Sequence, residues 1–252
     1  MPQTVCSHFY KYGSQVQWLE GLLLRHELYV PTSAQLNDPR ESHPRLKRVS
    51  PKEANEFLKR VLINKDPDAP PYDQQVKGLE AVVKDLGVDV VMGVITKYVF
   101  ASYAEKRIYS MSKRWNNMSL WAAYGANHKG YCLEFVNDGL FNLSRDVIYT
   151  DTLEYDLNDE THQTIDWAIY KSTEWRNEEE VRFSLPGDMV AQPMRIAPDL
   201  LSRVILGKDM PAADKKRICQ WAVRRKPRLN IVRAVYDAYL QQLTLQDVRT
   251  SR

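Results

Sequence analysis

Trp175-Arg-Asn-Glu178-Glu179-Glu180-Val-Arg182-Phe-Ser-Leu-Pro186 sets three consecutive carboxylates in front of a Val-Arg-Phe-Ser-Leu segment of strand character, stopped by Pro186-Gly187. If Glu178 and Glu180 open that strand, its period of two turns both side chains to one face and Glu179 to the other, with the pair about 6 to 7 Å apart. Two carboxylates so placed can divide labour, one orienting a hydroxyl and one stabilising positive charge at a breaking glycosidic carbon. The same residues also fit a solvated edge on which the glutamates pair with Lys171, Arg176 and Arg182.

Working outward, Ile165, Ala168, Ile169 and Ser172 predict a helix over 164–175 that delivers Lys171 and Trp175 to this stretch. Val147-Ile-Tyr149 and Tyr131 to Val136 read as strands, the latter after a turn at Asn127-His128-Lys129-Gly130. Ser119 is placed to cap one helical turn with Trp121 and Tyr124 on one side, an aromatic pair that can stack on a flat ring or simply fill a core. His128 stands without the paired histidine or glutamate spacing of a metal site. Arg107-Ile-Tyr-Ser110-Met-Ser112 is a strand ending in two serines one residue apart.

At the other end, His8-Phe-Tyr-Lys11-Tyr12-Gly13 alternates as a short strand, and Val16, Leu19, Leu22 and Leu23 give Gln15 to Leu24 one helical face. Glu27 to Val30 is a second strand. The Asn37-Asp38-Pro39 turn beyond it can present Asp38 and Glu41 from a loop or serve only as turn chemistry. Ser50-Pro51-Lys52-Glu53 starts a helix by its capping box, and two more helical runs, around 74–85 and 88–104, follow a proline-rich bridge at Asp66 to Pro71. Residues of about 50–105 therefore read as a helical insertion in the strand-bearing core of a single α+β domain spanning 1–252. Towards the C-terminus come a short helix, a buried strand up to Gly207, a basic helix from Ala212 to Arg225, and a last strand from Asn230 to Val235 before a polar tail. Lys215, Lys216, Arg217, Arg224, Arg225, Lys226 and Arg228 form a basic cluster, so nucleic acid is a candidate partner through 212–228, although such a face is commonly just solvated.

A chain of 252 residues with 44% hydrophobic and 27% charged residues can bury a large core without disulfide or metal staples. A net charge of +3 is too small to imply nucleic acid on its own. Three widely spaced cysteines, Cys6, Cys132 and Cys219, point to a reducing compartment and away from a thiolate metal cluster. No signal-like leader and no run of about 18 apolar residues is present, so a cytoplasmic protein without a membrane span is expected.

The motifs Tyr10-Lys11-Tyr12, Leu36-Asn37-Asp38-Pro39-x-Glu41, Ser110-x-Ser112, Leu120-Trp121-x-x-Tyr124-x-x-Asn127-His128-Lys129-Gly130-Tyr-Cys-Leu-Glu-Phe135 and Lys171-x-x-x-Trp175-x-x-Glu178-x-Glu180-x-Arg182 together resemble the bacterial family DUF2971. The likeness covers most of the chain outside the helical insertion. The order of a strand, Ser-x-Ser at a strand end, and Glu-x-Glu before Val-x-Phe is also similar to ADP-ribosyltransferases of the arginine-serine-glutamate type. That second resemblance implies an ADP-ribosyltransferase-like fold with mixed or antiparallel core sheets, and NAD as substrate with no metal. It implies that Ser110 and Ser112 brace the nicotinamide-ribose half, that Glu180 bonds the ribose 2'-hydroxyl, and that Glu178 orients the acceptor. Trp121 or Tyr124 would stack on nicotinamide, and Tyr12 would line the cofactor site beside Lys11. The departure is at the first strand, where that family carries an arginine and this chain has His8 and Lys11, a charge without a bidentate fork.

Three functions follow as expectations. The first is an NAD-consuming transferase or glycohydrolase, a toxin or phage-defence effector, with Asn37, Asp38, Glu41, His128, Lys171 and Arg182 around its substrate. The second is a non-catalytic module that binds nucleic acid or protein through the basic helix and the aromatic turn. The third, a metal-dependent nuclease using Asp38, Glu41 and Glu178, lacks a specific ligand spacing.

Overall fold

The computed structural model describes residues 6–38, 40, 45–47, 50–62, 69–152, 154–156, 166–186 and 192–248. Its strands, in chain order, are β1 (His8–Gly13), β2 (Glu27–Leu28), β3 (Arg45–Leu46), β4 (Arg107–Ser112), β5 (Tyr131–Val136), β6 (Arg145–Asp146) and β7 (Ile148–Tyr149). They continue as β8 (Glu154–Tyr155), β9 (Tyr170–Lys171), β10 (Glu180–Leu185), β11 (Met194–Arg195), β12 (Leu201–Leu206), β13 (Asn230–Asp237) and β14 (Gln242–Asp247). The helices are α1 (Leu19–Arg25), α2 (Pro51–Leu62), α3 (Tyr72–Leu86), α4 (Val88–Ala104), α5 (Met118–Ala123) and α6 (Ala212–Arg224).

The fold is α+β around one mixed eight-stranded sheet in the order β14-β13-β12-β5-β1-β4-β10-β6. Its pairings are antiparallel except β12 with β13, whose parallel register requires the crossover that α6 supplies. Alternation along the strands fills two cores. On one face Phe9, Met111, Leu133, Phe135, Val181 and Phe183 pack with Leu19, Leu22 and Leu23 of α1 and with Ile218 and Trp221 of α6. On the other, Tyr12, Cys132, Ile205, Val232, Ala234 and Leu243 meet Leu120 and Trp121 of α5.

The capping box at the start of α2 forms as expected: the Ser50 backbone N donates to Glu53 Oε2 at 2.6 Å and the Glu53 backbone N to Ser50 Oγ at 3.3 Å. Residues 63–68, which include much of the expected proline-rich bridge, lie outside the described residues, as does Gly187. The three helices α2, α3 and α4 follow one another between β3 and β4, and α4 touches the turn at Ser33–Gln35.

Several expectations are corrected. The helix read over 164–175 is not one from residue 166 onward: a 3-10 turn at Trp167–Ile169, strand β9, and a second 3-10 turn at Thr173–Glu178 replace it. Asp166 Oδ1 accepts the Ala168 N–H at 3.2 Å, and Tyr170–Lys171 pairs in parallel with β7, so local capping and sheet pairing outweigh the apolar spacing. Asn117, not Ser119, caps α5, accepting from the backbone N of Ser119 at 3.0 Å and of Leu120 at 3.3 Å. The polar tail after 235 contains β14, an edge strand whose Leu243 is buried; Asp237 fixes the preceding turn by accepting the N–H groups of Tyr239 and Leu240, both at 2.9 Å. Among the described residues no helix is long and apolar enough to cross a membrane.

The turn after α5 is left-handed at three successive residues, Ala126, Asn127 and His128, with φ of 48°, 51° and 65°. It leads to Gly130, where a Cβ would lie 2.2 Å from the Gly13 carbonyl oxygen, so only glycine lets β1 and this turn approach so closely.

Candidate active site

Glu178 and Glu180 do not share a strand face by simple alternation. Glu178 ends the 3-10 turn, Glu179 adopts a left-handed conformation (φ 45°, ψ 51°), and Glu180 is the first residue of β10. The backbone reversal at Glu179 sends that side chain outward to Arg114, 2.9 Å away, while its two neighbours turn inward. Both inward carboxylates are held by one ammonium: Lys171 Nζ lies 2.6 Å from Glu178 Oε2 and 3.1 Å from Glu180 Oε2. The glutamates thus do pair with lysine and arginine, but in a buried cluster instead of on a wet edge.

Glu180 is the more tightly committed of the two. Arg182 grips it in bidentate fashion, Nε to Oε1 at 2.8 Å and Nη2 to Oε2 at 3.1 Å, and Ser110 adds a hydroxyl bond from β4. Burial alone would raise its pKa, but Arg182 and Lys171 outweigh burial and hold the carboxyl at about 2, so it is ionised at neutral pH. Arg182 itself is 1% exposed and donates from Nη1 to the Ala168 carbonyl at 2.6 Å, which makes it the anchor of the cluster and removes it from contact with a substrate. The backbone N of Glu180 donates to Tyr149 Oη at 2.8 Å, and burial pushes that phenol up to about 12.

Glu178 has one donor on each oxygen, Lys171 on Oε2 and the Tyr124 hydroxyl on Oε1 at 2.8 Å. Tyr124 in turn accepts from Asn37 Nδ2 at 2.9 Å, so the loop after β2, helix α5 and the entry to β10 are tied by a single hydrogen-bonded chain. Burial and the Glu178 charge raise the Tyr124 pKa and keep it a donor. Lys171 also lies over the Trp175 ring, 4.9 Å from its centroid.

These groups line a cleft of about 350 Å³. Tyr10, Lys11 and Tyr12 of β1, Ser110, Met111 and Ser112 of β4, and Lys171, Glu178 and Glu180 bound one side of it. Trp18, Pro31, Gln35, Leu36 and Asn37 come from the turns after β1 and β2, and Leu120 and Tyr124 from the region of α5. Alternation puts Lys11 on the face of Phe9 and Leu133, opposite to Tyr10, Tyr12 and Glu180, yet it reaches the same cavity. That is geometrically open because β1 and β4 share a single ladder position, Tyr10 opposite Ser112, so the sheet parts between them. In the gap, Lys11 Nζ stands 5.2 Å from the centre of the Tyr109 ring, and among the described residues no carboxylate is within ion-pair distance of it. Burial lowers its pKa, opposed by Glu180 and Glu178.

Of the residues picked from the sequence, Lys11, Tyr12, Ser110, Ser112, Asn37, Tyr124, Lys171, Glu178 and Glu180 all border this cleft. Ser112 does so with its hydroxyl already donated to the Glu178 carbonyl at 2.7 Å, and Tyr12 with its own donated to the Arg114 carbonyl at 2.7 Å, so both shape the site more than they offer free donors. Trp121 is 0% exposed, with its indole N–H given to the Trp115 carbonyl at 2.8 Å, so it cannot stack on a ligand ring. His128 is buried and stacked on Trp121, away from the cleft lining. His8 bonds Ser7 at 2.9 Å and is also outside that lining. Asp38 is buried, accepts from the backbone N of Arg40 at 2.9 Å and pairs with its side chain, and does not line the cleft. Glu41 lies outside the described residues. Among the described residues no three His, Cys, Asp or Glu side chains gather as a metal would need. The basic cluster loses Arg225, whose buried guanidinium donates to the carbonyls of Leu22, Leu23 and Pro198 at 2.8, 3.3 and 2.6 Å.

Among the lining residues that sequence reasoning passed over, such as Pro31, Gln35 and Met111, Trp18 is the largest. Its one signal was positional: the helical face of Val16, Leu19, Leu22 and Leu23 leaves Trp18 off the apolar stripe, on the side turned from the core. Comparison of the chain with protein-family models, with curated proteins and with solved structures finds no match.

Proposed function

We propose that the chain is an NAD-dependent ADP-ribosyltransferase-like enzyme or NAD glycohydrolase, with its parted sheet as an ADP-ribosyltransferase-like core, and that it acts as a DUF2971-type toxin or phage-defence effector. The observation that carries this reading is the convergence of Lys11, Ser110, Tyr124, Glu178 and Glu180, from four separate parts of the chain, on one cleft. A carboxylate has about four lone-pair sites. Glu178, with two donors in place, keeps acceptor capacity for a ribose hydroxyl, the role the resemblance implies for Glu180, whereas Glu180 is occupied by Arg182, Lys171 and Ser110 and supplies fixed negative charge instead.

In the reaction the bond between ribose C1' and the nicotinamide nitrogen breaks, its electron pair leaves with neutral nicotinamide, and positive charge spreads over C1' and the ring oxygen. The two carboxylates stabilise that charge. Water or an acceptor nucleophile then adds to C1' and gives up its proton. Lys11 supplies positive charge for the pyrophosphate, as a point charge without the fork of an arginine.

Incubation with NAD labelled in the nicotinamide ring tests the reading by release of free nicotinamide. Turnover is expected from the unsubstituted chain and its loss from both Glu178→Gln and Glu180→Gln, with circular dichroism checking that each variant folds. Absence of release from the unsubstituted chain, or turnover unchanged in the folded Glu178→Gln protein, rejects it. A non-catalytic nucleic-acid-binding module is a second reading, favoured by the exposure of Lys216, Arg217, Arg224, Lys226 and Arg228. It requires charge reversal of Lys216 and Arg224 to abolish binding of a nucleic-acid duplex while Glu178→Gln leaves it intact.

A further inference from the structure

We infer that Trp18 is the stacking surface of the cleft, holding the flat heteroaromatic ring of one nucleotide unit at its mouth. This deepens the reading just proposed and rests on it for the treatment of the cleft as a nucleotide site. Of the six tryptophans, Trp121, Trp167 and Trp221 are buried and Trp115 and Trp175 half-buried, whereas Trp18 is 74% exposed and still borders the cavity. An exposed aromatic ring beside a polar cleft can take a base or a pyridine by stacking.

The backbone that carries the ring is anchored. Trp18 ends a 3-10 turn whose first residue, Val16, is buried, and it is followed directly by buried Leu19. Val16 and Leu19 belong to the main core, so the backbone around 18 is anchored while the indole stands outward. Pro31 and Leu36 bring apolar surface to the same cleft, while Lys11, with no carboxylate within ion-pair distance among the described residues, and Glu178 contribute an amine and an acceptor. Those three features suit a planar ring, an anionic group and a sugar hydroxyl in one ligand.

Size limits that ligand. A cavity of about 350 Å³ is near the lower end of the 300 to 1,000 Å³ found for small-molecule sites, enough for a single nucleotide and not for a dinucleotide enclosed end to end. The second half of a dinucleotide would therefore extend beyond the enclosed volume. The earlier candidate, Trp121, is excluded by its burial, which leaves Trp18 as the tryptophan able to present a face to the cleft.

Calorimetric titration with AMP, nicotinamide mononucleotide and ribose 5-phosphate, which lacks the ring, tests the inference without requiring turnover. Trp18→Ala is expected to raise the Kd for AMP or nicotinamide mononucleotide about 5- to 150-fold, the span of one base-on-aromatic contact. Ribose 5-phosphate should stay within about twofold, and Trp18→Phe should keep most of the affinity because a phenyl ring still stacks. Because Trp18 is exposed, the substitution leaves the core intact. The inference is overturned if the unsubstituted chain binds neither ring-bearing nucleotide, if Trp18→Ala leaves their Kd unchanged, or if all three ligands weaken equally. Saturable binding with no nicotinamide release would end the enzymatic reading and leave Trp18 its role. Release of nicotinamide with unchanged ring-ligand affinity in Trp18→Ala would do the reverse.

Discussion

The two ends of the large sheet bury different chemistry. Around β12, β13 and β14 the inward positions are Val204, Ile205, Ile231, Val232, Ala234 and Leu243, closed over by α6 on one face and α5 on the other. Around β4 and β10 one face of the same sheet still packs Met111, Val181 and Phe183 into the core, while the other buries Ser112, Glu180 and Arg182, joined by Lys171 of β9 and Glu178 of the preceding turn. Apolar burial contributes stability in proportion to area, whereas every charge in a buried ion cluster must first offset its own desolvation. The lesson is that the ion cluster adds less to holding the sheet together than the apolar face behind it, and its composition is better explained by the chemistry proposed for the cleft.

The contrast can be broken most forcefully at Arg182. Arg182→Met leaves Glu180 buried without its bidentate partner and should cost about 3 to 5 kcal/mol, read as a fall in the urea midpoint and in Tm. A loss below about 1 kcal/mol would mean that water already reaches the cluster. Acid is the next largest probe. The Glu180 pKa is depressed from 4.5 to about 2 in the folded chain, so its contribution is present above about 4.5 and is lost as pH falls through about 2. Urea unfolding followed across that window should show a loss on the order of 3 kcal/mol that is absent from Glu180→Gln. At the apolar end, Ile205→Val removes one methylene from a side chain that is 0% exposed and should cost about 0.5 to 1.5 kcal/mol by the same measurement. The smallest effect belongs to the surface of α6, where Lys216→Ala should stay within about 0.5 kcal/mol.

Reading the chain alone recovered the apolar end almost completely. Strand β12 and helix α6 carry their period in consecutive residues, and only β14 was missed, because Leu243 and Leu245 alternate within an otherwise polar stretch. At the charged end the residue types were readable and their geometry was not. Glu178, Glu180 and Lys171 are readable by their chemistry, but a helix is expected where two 3-10 turns and β9 occur, and Trp121 is expected to stack while Trp18 goes unremarked. A tryptophan's type does not disclose whether its neighbours will pull it inward, since that depends on which distant strand supplies the opposing surface.

Local periodicity and capping, which act over a few residues, were enough to establish an α+β chain with three consecutive helices after the Ser50 capping box and strands bearing serines and glutamates. Sheet order, the parting of β1 from β4, the left-handed reversal at Glu179 and the burial of Arg182 and Arg225 were decided in three dimensions. The reason is that ladder pairing and desolvation join residues far apart in the chain, and a charge is buried only where its partner has already been brought to meet it.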